Sequence, residues 1–169
     1  MIINENKCNV ITFNFNHFNT APQNLTLNDK ILKPVNTIKL LGVYLTNDLK
    51  WTANTNNICS KVNQRLYIIS KLKHFGLQIE ELITAWRSII RPITEYAVPL
   101  WHSGLTEGDS YRIELLQKKA LSFILGTVYI DNKRYYKLNN EHLIYNALQK
   151  LGLTTLNERR VVLKLINLP

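Results

Sequence analysis

The sequence predicts an α+β chain, a small antiparallel β region followed by a helical bundle, and two observations carry that prediction. Residues 2–45 contain short β-type runs separated by turn material, and after Trp51 the apolar period changes from two to 3.6. A length of 169 residues allows one domain with a sizeable core or two small lobes.

The β-type segments are CNVITFNF (8–15), LTLND (25–29) and TIKLLGVYL (37–45). The turn material between them is Asn19-Thr20-Ala21-Pro22 and Lys33-Pro34. Two or three antiparallel strands follow, too short to close a core unaided. Asn47-Asp48 then signals a turn.

Ile58, Val62, Leu66, Ile69 and Leu72 recur at spacings of four and three, which predicts one amphipathic helix over roughly 53–74, closed by Gly76. The next apolar stripe runs from Leu82 and Trp86 through Tyr96, Ala97, Leu100 and Trp101. It passes through Pro92, which is expected to kink that helix or divide it in two. Ile89, Ile93, Tyr96, Leu100, Trp101, Leu115 and Leu121 are assigned to the core.

Thr106-Glu107-Gly108-Asp109 has the form of a capping signature for a third helix carrying Ile113, Leu116, Ala120, Phe123 and Ile124 and ending near Gly126. After the connector DNKRYYKLNN, Asn140 can cap a fourth helix to Leu151, with Gly152 at its end. Thr155 with Glu158 forms a capping box for a last helix, 156–166.

Composition narrows the chemistry. No apolar run approaches the roughly 20 residues that cross a bilayer, so no membrane partner is expected. The start has no secretory pattern, and the two separated cysteines, Cys8 and Cys59, fit an intracellular, reducing compartment, nuclear or cytoplasmic. The histidines are scattered, which argues against a zinc site. A formal net charge of +9 raises the expectation of a polyanionic partner.

That charge is unevenly placed. Between Leu49 and Ile79 stand Lys50, Lys61, Arg65, Lys71 and Lys73, with no Asp or Glu. On a helix, Lys61, Arg65 and Lys71 occupy an arc of roughly 120° beside the apolar stripe. Such a face can follow a phosphate backbone, or be a solvated surface of a basic protein. Lys118, Lys119, Lys133, Arg134 and Lys137 surround Tyr129, Tyr135 and Tyr136 in a second cluster, which suits either stacked single-stranded bases or a surface loop folded on the third helix. The carboxylates Asp29, Asp48, Glu95, Asp109 and Asp131 lie on different elements, and no nucleotide-binding loop or nucleophile motif is present. Residues alone therefore describe a binding or supporting module.

Four blocks in order, IKLLGVYLTNDLKW, RSIIRPITEYAVPLWHSGLT, IELLQKKALSFILG and LGLTTLNERR, give the chain a resemblance to non-LTR (LINE-type, jockey-like) retrotransposon reverse transcriptases, in the region downstream of their catalytic site. The resemblance implies the end of the palm with its primer-grip hairpin over 1–50, a thumb-like helical region over 51–128 and a C-terminal helical extension over 129–169. Leu41, Gly42 and Val43 would form the primer grip, with Gly42 admitting a close backbone approach. Lys50, Lys61, Arg65, Lys71 and Lys73 would contact nucleic acid. Asn4-Glu5-Asn6-Lys7 resembles the family's Asn-x-x-Lys-Thr, with Cys8 in place of Thr, and Lys7 would match a lysine that helps protonate pyrophosphate.

The implied function is to grip an RNA/DNA primer–template duplex as the C-terminal part of an RNA-directed DNA polymerase, beside fingers and palm supplied from outside this chain. The family's paired aspartates have no counterpart in this sequence, so the chain as given is not expected to polymerise, and Mg²⁺ is expected only in the catalytic part. The alternative expectation is a non-enzymatic nucleic-acid-binding or structural helical protein, or an inactive element relic.

Overall fold

A computed structural model of the chain describes residues 8–13, 25–28, 30–125, 148–149 and 151–166. The architecture is α+β, with two short antiparallel hairpins followed by helices. It divides into two compact units, Met1–Asn54 and Thr55–Pro169, so the boundary falls inside the first turn of the first helix.

In the first unit, β1 (Thr26–Leu27) pairs with β2 (Lys30–Ile31), and β3 (Thr37–Leu40) pairs with β4 (Val43–Thr46), both antiparallel. The two hairpins are separate two-stranded sheets. Residues 8–13, expected to begin a strand, form only an isolated bridge at Val10 opposite Pro34. Proline has no N–H to continue the ladder, which is held here by Val35 N–H to the Val10 carbonyl at 2.8 Å.

The β3–β4 hairpin is specified by its turn. Leu40 pairs with Val43, leaving Leu41-Gly42 as a two-residue loop, and both residues have positive φ, 47° and 89°. That is a type I′ turn, whose twist matches the strands it joins. A glycine at 42 suits this left-handed backbone, φ 89°, which costs it nothing. Past β4, the Leu49 N–H reaches the Thr46 carbonyl at 2.9 Å, closing the turn at Asn47-Asp48.

Asp48 organises this exit. Its Oδ1 lies 2.6 Å from the Thr46 hydroxyl and 3.1 Å from the Lys50 N–H. The Thr46 hydroxyl, then the Lys50 amide, hold the Asp48 carboxyl well below the usual range, at about 2. A depressed carboxylate contributes order that is complete above the unfolded value near 3.8 and is lost as pH falls through about 2. A pH titration of the Thr46 and Lys50 amide resonances should show their shift centred near 2, and Asp48→Asn should abolish that step.

The second unit begins on α1 (Thr52–His74), one uninterrupted helix of 23 residues. Neither glycine nor proline interrupts it, and Thr55, Ile58, Val62, Leu66 and Ile69 form its buried stripe. It ends in a Schellman arrangement: Gly76, at φ 87°, donates to the Lys73 carbonyl and Leu77 donates to the Leu72 carbonyl.

The predicted second helix is broken twice, into α2 (Ile79–Ile89), α3 (Arg91–Glu95) and α4 (Val98–Trp101). Pro92 and Pro99 each sit at the second position of a new helix, where no N–H is required. Between α3 and α4, Ala97 takes a left-handed φ of 52°, which resets the helical phase. Trp101 and Val98 thereby turn fully inward, while Tyr96 and Leu100, assigned to the core from the sequence, are each 56% exposed. The Trp101 indole N–H donates to the Tyr96 carbonyl at 2.9 Å, a group freed by the break. Of the other expected core residues, Leu121 is buried and Ile89, Ile93 and Leu115 are partly so.

A short 3₁₀ turn, His102–Gly104, leads to α5 (Glu107–Leu125). The Thr106 hydroxyl accepts the Asp109 N–H at 3.1 Å, the expected cap. α1 and α5 run in the same sense, since Arg112 reaches Asn56 at one end and Lys73 reaches the Ile124 carbonyl at the other. The expected fourth helix lies largely outside the described residues. Its end is seen at Leu148, whose carbonyl accepts the Leu153 N–H at 2.8 Å around Gly152, at φ 60°.

The last helix, α6 (Leu156–Ile166), has the predicted bounds and the predicted box. Thr155 N–H bonds Glu158 and Glu158 N–H bonds Thr155, both at 3.1 Å. Its faces are inverted. Arg160 is 0% exposed, between buried Leu156 and half-buried Leu163, while Val161, Val162, Leu165 and Ile166 lie outward. Glu114 on α5 faces the Arg160 guanidinium at 3.3 Å, and Ser110 accepts from it at 3.0 Å. Burial pushes the Glu114 carboxyl up despite Arg160, and burial lowers Arg160 in turn. Burial thus works against the charged form of each partner, while the opposite charge of the other favours it.

Candidate nucleic-acid interface

Leu41, Gly42 and Val43, expected from the resemblance to form a primer grip, sit at and beside the tip of the β3–β4 hairpin in the first unit. Leu41 is 84% exposed at the apex, Gly42 follows, and Val43 is buried at 4% exposure, so the three do not present one surface. Leucine is an unusual occupant of a left-handed turn position, where its Cβ costs about 1–2 kcal/mol relative to a conformation it prefers. Leu41→Asn should relieve much of this, and amide protection across Val43–Thr46 should rise about fivefold, corresponding to about 1 kcal/mol. Behind the tip, the Lys39 ammonium lies 5.7 Å from the Tyr44 ring of its cross-strand partner.

The five cations of the acid-free stretch separate by environment. Lys50 belongs to the first unit and pairs with Asp48 at 3.2 Å, with both side chains open to water. A pair this exposed is a weak clamp and leaves the ammonium available. Lys61, Arg65 and Lys71 lie exposed on α1 in the second unit. Lys71 rests over the Tyr67 ring at 5.3 Å, and Tyr67 is itself 63% exposed. The span from Lys61 to Lys71 is roughly 15 Å, about four nucleotide steps of one strand.

Lys73 does not join them. Its helical phase puts it with Val62 and Leu66, and its ammonium donates to the Ile124 carbonyl at 2.9 Å. There it satisfies an orphan carbonyl at the negative end of α5, which is a packing role. Lys7 lies outside the described residues, as do Tyr129, Lys133, Arg134, Tyr135, Tyr136 and Lys137 of the second cluster. Of that cluster the structure describes Lys118, whose ammonium sits 5.5 Å from the Tyr111 ring, and exposed Lys119.

No family model, curated protein or solved structure matches this chain. Among the described residues, no group of three His, Cys, Asp or Glu side chains could hold a metal ion, and no helix is long and apolar enough to cross a membrane. Cys59 is half-buried, and burial pushes its thiol up, away from the reactive thiolate.

The geometry can therefore do one thing well. It offers three cations along one helix face with no local acid to neutralise them, and an exposed tyrosine among them. Sequence reasoning missed Tyr67, although its spacing of four from Lys71 is the signal that places the ring beneath the ammonium. It also missed that Arg159 joins Arg91 on Glu95: Arg91 is four residues from Glu95 on one helix, but Arg159 is 64 positions away and meets it only through tertiary packing.

Proposed function

We propose that this chain grips an RNA/DNA primer–template duplex by phosphate contacts, as the C-terminal part of an RNA-directed DNA polymerase of the non-LTR retrotransposon type. The observation that carries the reading is α1: Lys61, Arg65 and Lys71 lie exposed along one face of an acid-free helix. The hairpin with Leu41 at its tip adds a second element in the order the resemblance implies.

In this reading α1 follows the backbone of the duplex and reads its shape, with no access to base edges. Each phosphate neutralised releases counterions, so affinity falls with salt. Bond making belongs to the palm and fingers outside this chain, with their Mg²⁺. The chain's own part is to hold the duplex.

The test compares a blunt RNA–DNA heteroduplex with its separated strands, by titration over a range of salt concentrations. Tighter binding of the heteroduplex at every salt concentration is the expected result. Equal affinity for duplex and single strands would leave only a generic basic or structural helical protein.

A further inference from the structure

α2, α3, the loop before α6 and the first turn of α6 line a depression of about 210 Å³, bordered by Trp86, Arg91, Glu95, Gly152, Thr154 and Arg159. Its electrostatics are unbalanced. Glu95 Oε1 receives the Nε–H of Arg91 and, at 3.2 Å, the Nε–H of Arg159. One carboxylate thus faces two guanidinium groups, a formal excess of one positive charge. The three side chains are only 25%, 17% and 35% exposed for Arg91, Glu95 and Arg159, so water screens that excess incompletely.

Donors are also left over. Each arginine spends its Nε on Glu95, and the Nη edges have no other acceptor among the described residues. Trp86 is 3% exposed and its indole N–H lacks an acceptor among the described residues. An unmet donor of this kind is costly enough to be noteworthy. The far wall is fixed in advance. Arg87 donates to the Gly152 carbonyl at 3.2 Å, and buried Gln117 both donates to the Thr154 carbonyl and accepts the Leu156 N–H.

We propose that this depression holds a single phosphate group, its oxygens accepting the Nη–H groups of Arg91 and Arg159. A phosphate presents several acceptor oxygens in a tetrahedron, which two guanidinium forks can share. A carboxylate has two coplanar oxygens, suits one fork, and is already represented by Glu95. The site uses none of the α1 side chains and stands apart from the duplex-gripping reading. The phosphate can come from a free phosphate-bearing small molecule or from the end of a polynucleotide.

The experiment titrates the full chain with inorganic phosphate, adenosine monophosphate, acetate, and a short oligonucleotide with and without a 5′-phosphate. The indole N–H resonances of Trp51, Trp86 and Trp101 are followed by NMR. Phosphate should move the Trp86 signal, and Arg91→Gln or Arg159→Gln should each weaken binding by about tenfold or more. Glu95→Gln should tighten it, because it removes the competing negative charge. A preference for the 5′-phosphorylated oligonucleotide over the unphosphorylated one assigns the group to a polynucleotide end, and equal affinity for phosphate, monophosphate and phosphorylated oligonucleotide assigns it to the free group.

Acetate competing equally with phosphate would overturn the assignment, as would a silent Trp86 or unchanged affinity in a folded Arg159→Gln. Should the arginine variants not fold, wild type and Glu95→Gln decide. Lys61→Glu/Arg65→Glu should leave phosphate affinity unchanged, and loss of it there would place the phosphate on α1 and sink the proposal.

Discussion

Double charge reversal, Lys61→Glu with Arg65→Glu, is expected to reduce the slope of log affinity against log salt by about two, and to weaken heteroduplex binding about thirtyfold at 0.15 M salt. The two side chains are one helical turn apart and exposed, and the stretch around them contains no acid to absorb the change. Both lie outside the buried stripe, so the melting temperature should stay within a few degrees of wild type. Lys73→Gln provides the contrast. Its ammonium is engaged with the Ile124 carbonyl, so that substitution should lower stability and leave the salt slope alone. An unchanged slope in the double variant would remove α1 from the duplex contact.

Truncating Trp101 to alanine should cost about 3–5 kcal/mol of folding stability, read from urea midpoints. The side chain is 0% exposed and is among the largest fully buried groups of the second unit. Its loss removes a large apolar area and leaves a cavity that rigid neighbours fill poorly. It also strands the Tyr96 carbonyl, which receives the indole N–H at 2.9 Å. Trp101→Phe separates the two effects, since it keeps most of the volume and loses the donor, at about 1 kcal/mol. A loss under 1 kcal/mol for Trp101→Ala would mean that this indole is not a keystone of the α3–α4 break.

The helices were legible wherever local signals agreed. Val62, Leu66 and Ile69 at spacings of four and three mark α1, Gly76 marks its end, and Thr155 with Glu158 marks the start of α6 within the residue. Caps are made between residues three apart, so the sequence holds both partners. The stripe from Leu82 to Trp101 was legible as core but not in its detail. Continuing one helical phase through it puts Tyr96 and Leu100 inside, and the left-handed Ala97 turns them out. A single alanine carries no local warning of that backbone state.

The nucleic-acid candidates divide the same way. Lys61, Arg65 and Lys71 follow from composition and phase. Lys73 also had a readable phase, beside Val62 and Leu66, but its acceptor on α5 is 51 residues away in sequence.

By itself, then, the sequence determined the α+β order, the bounds of α1, α5 and α6 to about a residue, and a helix bearing cations without acids. Those are properties of neighbours within one or two turns. Only the tertiary structure decided that Arg160 is buried against Glu114, that α6 carries its valines outward, and that Arg91 and Arg159 converge on one carboxylate. The long-range pairings join side chains 46 positions apart, Glu114 with Arg160, and 64 apart, Glu95 with Arg159. Which charge meets which over that distance depends on how the helices stack, a choice the packing of whole apolar faces makes and no local pattern encodes.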